Sequence, residues 1–68
     1  MKPVTGKALA RALERNGWSL ARVRGSHHIY TRPGSIVRLS VPVHGNAALK
    51  AGLALHLLKQ AGLTPEDV

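Results

Sequence analysis

Residues 22–32 read RVRGSHHIYTR, and in them two adjacent imidazoles, His27 and His28, stand among Arg22, Arg24 and Arg32, with Arg38 soon after. Cleaving RNA without a metal takes two proton transfers around one phosphodiester. A base removes the proton of the 2′-hydroxyl, and an acid protonates the leaving 5′-oxygen. Histidine suits either role, because an ordinary imidazole pKa of about 6.5 leaves both forms populated near neutrality. A neighbouring guanidinium would stabilise charge developing on the phosphate, with two parallel hydrogen bonds where geometry allows. Arg22, Arg24 and Arg32 are candidates for that contact by nearness in sequence, and Lys50 by its place near the start of a later helix. His44 follows Pro42 in a loop, where it would assist RNA binding; its bland alternative is a solvated loop residue. His56 falls within an apolar helical pattern and reads as a boundary residue. A zinc site needs three converging ligands, which adjacent His27 and His28 do not easily supply, and no carboxylate stands near them. No metal or other cofactor is expected.

These side chains must be held by a small scaffold. Thr5 is placed to cap a helix reaching about Asn16, with Leu9, Ala12 and Leu13 on one face and Gly17 closing it. Three strand-like segments follow: Trp18–Arg24, His27–Arg32 and Ile36–Val41. Gly25-Ser26 and Arg32-Pro33-Gly34-Ser35 are the turns between them, and Pro42 is expected to stop the last strand. Val37, Leu39 and Val41 alternate with Ile36, Arg38 and Ser40, giving the last strand one apolar face. A second helix starts between Asn46 and Ala51 and ends at Ala61; Leu49, Leu53, Leu57 and Ala61, flanked by Ala54 and Leu58, form the stripe expected to cover the sheet, and Gly62 is its stop. Thr64-Pro65-Glu66-Asp67 reads as one capped turn. The order is αβββα: an α+β fold, with a three-stranded antiparallel sheet packed against two helices.

Strand alternation divides the central pair of histidines. His27, Ile29 and Thr31 share one face, and His28, Tyr30 and Arg32 the other. Ile29 suggests that the first set faces the core, which would leave His28 as the accessible imidazole. Trp18 reads as buried packing at the helix–strand corner, and Tyr30 as either core or a base-stacking surface.

Sixty-eight residues make one domain with a thin core. Without cysteine there is neither a disulfide nor a thiolate metal site, which fits a cytoplasmic protein. No apolar run approaches the roughly 18–20 residues needed to span a bilayer, and charges interrupt the N-terminal segment where a secretory signal would be apolar. Charge is the dominant compositional fact. All ten Lys and Arg but only one acid, Glu14, lie in residues 1–65, a net +9 there and +7 over the chain. Such a field attracts polyanions and releases counterions on binding, so it favours a nucleic acid or an acidic protein partner.

The segments GWSLARVRGSHHIYTRPG, VPVH and LKAGLALHLLKQAGLTPEDV together resemble the HicA family of bacterial mRNA-interferase toxins, over about Thr5 to Asp67. The resemblance implies a single domain of double-stranded RNA-binding-like fold, an mRNA substrate and a HicB-like antitoxin in complex with it. It also implies an active histidine in the Gly-Ser-His segment, at His27, with His28 as the alternative. Three functions compete: a ribonuclease toxin, a non-catalytic RNA-binding module of the same fold, and an adaptor whose basic surface docks an acidic protein. The Gly-Ser-His-His stretch favours the first, because simple RNA binding has no need of an imidazole pair there.

Overall fold

A computed structural model describes residues 2–68. Helix α1, Gly6–Arg15, precedes strands β1, Ser19–Arg24, β2, His27–Thr31, and β3, Leu39–Pro42; helix α2, Ala51–Ala61, and a short 3₁₀ turn at Pro65–Asp67 complete the chain. The strands form one antiparallel sheet in the order β1-β2-β3. The α+β class and the αβββα order are those expected. Among the described residues no helix is long and apolar enough to cross a membrane.

Local chemistry accounts for both ends of α1. The Thr5 hydroxyl accepts from the Ala8 N–H at 3.0 Å, satisfying one of the free donors at the helix start. At the other end Gly17 takes φ 89° and the Trp18 N–H reaches back to the Leu13 carbonyl at 3.0 Å. This closure needs a left-handed residue, and it swings Trp18 into the core, where it is 2% exposed. Gly62 closes α2 in the same way, with the Leu63 N–H bonded to the Leu58 carbonyl at 2.8 Å. The C-terminal turn is capped reciprocally by Thr64 and Asp67.

Leu9 and Leu13 of α1, Leu57 and Leu58 of α2, and Leu39 and Val41 of β3 meet in one cluster. Both helices therefore cover the same face of the sheet. Leu57 and Ala61 of the α2 stripe and its flanking Ala54 and Leu58 are buried as expected, but Leu53 is 37% exposed, so the buried face is turned toward the flank. Tight packing through the small Ala54 and Ala61 draws that face inward, and Leu49, ahead of the helix, only flanks the core. The third strand is shorter than expected at its start and one residue longer at its end. Ile36 is fully exposed and lies outside β3, whereas Pro42 is its last residue, paired with His27. A proline at a strand end sacrifices no interior ladder bond. Strand β2 likewise ends one residue early, at Thr31, and β1 begins one late, at Ser19.

Candidate active site

Directly opposed residues of antiparallel strands point to the same face, so the register fixes which side chains meet. His28 opposes Val41 and Tyr30 opposes Leu39, and both partners are fully buried beneath the helices. His27 opposes Pro42 and Ile29 opposes Ser40. The expected faces are thus reversed. Tyr30, at 2% exposure, belongs to the core, and the His27–Ile29–Thr31 side is the open one. Tyr30 wins the buried position because its ring fills the space under α1 and its hydroxyl still finds a partner, donating to Glu14 Oε2 at 3.3 Å. Burial, the Glu14 charge and that hydrogen bond all raise the tyrosine pKa above its usual value. His28 is half-buried on the helix side between Val23 and Val41; His27 is exposed on the open side.

An irregularity in β1 completes the arrangement. Pairing runs Leu20 with Tyr30, then Arg22 with Ile29, leaving Ala21 as the extra residue of a β-bulge. A regular strand would put Leu20, Arg22 and Arg24 on one face. Counted from the hairpin, Arg24 and Arg22 stand on the open side and Val23 on the helix side; the bulge then shifts the phase and sends Leu20 to the helix side as well. Arg24 then directly opposes His27 across the strand pair. The two-residue turn between them begins with Gly25 at φ 58°, while Ser26 keeps a negative φ, the pattern of a tight hairpin turn with glycine first.

The third strand supplies the other side. His27 Nδ1 lies 3.2 Å from Ser40 Oγ, leaving Nε2 directed away from that contact. Beyond β3 the Val43 N–H donates to the Ser26 carbonyl at 2.7 Å, which carries the ladder one step further. Val43 packs against the core and His44 is exposed, with its Nε2 3.2 Å from Ser26 Oγ. The fold therefore brings Arg22, Arg24 and His27 together on the open face at the hairpin end of the sheet, with Ser40 on the His27 ring and His44 beside the hairpin through its contact with Ser26. The two serines were not marked by sequence reasoning; Ser40 already lay on the polar side of the predicted strand, but only the register links it to His27.

Other candidates lie elsewhere. Arg32 stands at the far end of β2 from His27, roughly 16 Å along a strand at about 3.3 Å per residue, and its guanidinium stacks over Trp18 at 4.7 Å from the ring centre. Lys50 is exposed at the N-cap position of α2, and His56 is exposed on that helix. Among the described residues no group of three or more His, Cys, Asp or Glu is placed to hold a metal ion.

A search of curated proteins gave no match. The family model described as the HicA toxin of bacterial toxin-antitoxin matches residues 6–63, which takes in both helices, all three strands and every residue of the open-face cluster. The chain belongs to the HicA toxin family, and is accordingly the toxin component of a bacterial toxin-antitoxin system.

Proposed function

We propose that this toxin is an mRNA interferase: an endoribonuclease that cuts the RNA backbone by histidine acid–base chemistry, with His27 transferring a proton and needing no metal. The observation that carries this reading is the position of His27. It is the exposed imidazole of the pair, cross-strand from Arg24 and hydrogen-bonded to Ser40. That bond fixes the ring and leaves Nε2 for the substrate. Arg24 and its neighbour Arg22 are placed to hold the phosphate oxygens, where a guanidinium in a fixed position stabilises the transition state more than the ground state.

The antitoxin that silences such an enzyme is, on this reading, a HicB-like protein that presents carboxylates to the Arg22–Arg24 edge and covers His27. Occlusion is the direct route to inhibition because the reactive group is on the surface. A purified toxin incubated with RNA in EDTA should yield discrete fragments, and added antitoxin should stop their formation. Binding of RNA without fragments would favour the non-catalytic module, and fragments that vanish in EDTA would remove the metal-free mechanism.

A further inference from the structure

One imidazole completes only half of the reaction, and the geometry points to the other half. We infer that His44 is the second proton-transfer group, so that His27 and His44 form an acid–base couple across one phosphodiester. The inference rests on the proposed RNA cleavage and adds a catalytic residue to it.

The placement follows from the ladder. His27 opposes Pro42, and Ser40 and His44 lie two residues to either side of Pro42. The bond from the Val43 N–H to the Ser26 carbonyl keeps the chain beside β2 beyond the last strand residue, so both are diagonal neighbours of His27. Diagonal pairs in a sheet stand about 7–8 Å apart, a span that long side chains bridge. Burial alternates along the same stretch: Leu39 and Val41 face the core, Val43 packs against it, and Ser40 and His44 are exposed. Carried past the end of β3, that alternation puts His44 on the side where His27 lies. The Ser26 hydroxyl at 3.2 Å holds its Nε2, as Ser40 holds Nδ1 of His27. Each ring has one nitrogen fixed by a serine and the other left for substrate.

The chemistry balances on these two groups. The 2′-hydroxyl gives its proton to the neutral imidazole while its oxygen bonds to phosphorus. The bond from phosphorus to the 5′-oxygen breaks, and that oxygen keeps the electron pair and takes a proton from the protonated imidazole. The products are a 2′,3′-cyclic phosphate and a 5′-hydroxyl, and the two rings have exchanged protonation states. Arg22 and Arg24, opposite Ile29 and His27, meet the phosphate oxygens from the β1 side.

The test separates proton transfer from RNA binding. His44→Ala and His44→Gln should each fold as the wild type does, since the residue is exposed in a loop, and each should cut RNA at least about 10²-fold more slowly, the scale for losing an acid or base. Glutamine can still hydrogen-bond Ser26 and RNA but cannot relay the proton. The decisive substrate is an oligoribonucleotide whose scissile 5′-oxygen, at the position the wild type cuts, is replaced by sulfur. A thiolate leaves without being protonated, so losing the general acid no longer matters while losing the base still does. Exactly one of His27→Ala and His44→Ala should regain near wild-type rate on this substrate. Recovery of both or neither, or a His44→Gln enzyme with full activity, overturns the couple. An active His27→Ala enzyme would instead defeat the proposed function itself, so the two failures are distinguishable.

Discussion

Gly6, the first residue of α1, packs directly against the backbone at the end of β3. A Cβ built there would run into the Pro42 carbonyl oxygen, with the Pro42 carbonyl carbon at 3.0 Å and the Val43 Cα at 3.1 Å. All three are backbone atoms, so no side chain can rotate away; either α1 or the end of β3 must move. Forcing an extra methyl into such packing costs about 1–3 kcal/mol. Alanine's helix preference over glycine returns at most about 1 kcal/mol, and less at the first helical position. Gly6→Ala should therefore lose about 1–2 kcal/mol. In a domain of this size each kcal/mol moves Tm by about 4–8 °C, so the melting point should fall by roughly 5–15 °C. Gly52→Ala is the internal control. It sits exposed near the start of α2 with nothing within 4 Å of its added methyl, and should gain about 0.5–1 kcal/mol from propensity. Thermal unfolding followed by circular dichroism measures both. A Gly6→Ala protein as stable as the wild type would refute the close approach of α1 to Pro42. Because that contact seats the chain between His27 and His44, Gly6→Ala should also slow RNA cleavage, whereas Gly52→Ala should not.

Tyr30→Phe removes the hydroxyl that donates to Glu14 and should cost about 0.5–1.5 kcal/mol at neutral pH. The folded-state tyrosine pKa is raised, so the stability it confers is whole below the unfolded value of about 10 and is lost as pH climbs through the folded value. The wild type's advantage over Tyr30→Phe should accordingly shrink in denaturant titrations as pH rises above about 10, and a constant gap would contradict the sign. RNA affinity should fall steeply between about 50 and 200 mM salt, because binding through the residues that give the net +9 releases counterions; a flat salt response by filter binding or anisotropy would exclude phosphate contacts as its source. Arg32→Ala should cost about 0.5–1 kcal/mol through loss of its stack on Trp18 while leaving the RNA cleavage rate within a few-fold of wild type, and a loss on the scale of the His27 variant would return Arg32 to the site.

Much of this architecture was legible in the residues. Thr5, Gly17, Gly25, Gly62 and the Thr64–Asp67 cap each mark a boundary by local chemistry, and the structure uses all five. Facing was harder to read. Ile29 and Tyr30 are both apolar enough for a core, and the choice between them depends on Leu39, Val41 and Glu14, which are distant in sequence. The hairpin register puts Arg22 and Arg24 on the surface that His27 shares, and the bulge at Ala21, which leaves no mark in composition, takes Leu20 off it. In α2 the stripe misled only at Leu53, which matches the spacing but stands partly exposed while its small neighbour Ala54 is buried. Charge and the histidine pair suggested the proposed chemistry; only strand register shows which side chains stand beside His27.

In the proposed mechanism the exposed histidine of the pair, and not the half-buried one, transfers a proton during RNA cleavage. The direct measurement is the single-turnover cleavage rate of His27→Ala and His28→Ala beside their unfolding curves. His27→Ala should unfold like the wild type, since its side chain stands on the open face, and cleave at least about 10²-fold more slowly. His28→Ala should lose stability from its place between Val23 and Val41, with activity falling only as far as the folded fraction falls. A folded His27→Ala protein that cuts RNA at full rate, or a folded His28→Ala protein that alone has lost it, would contradict the account.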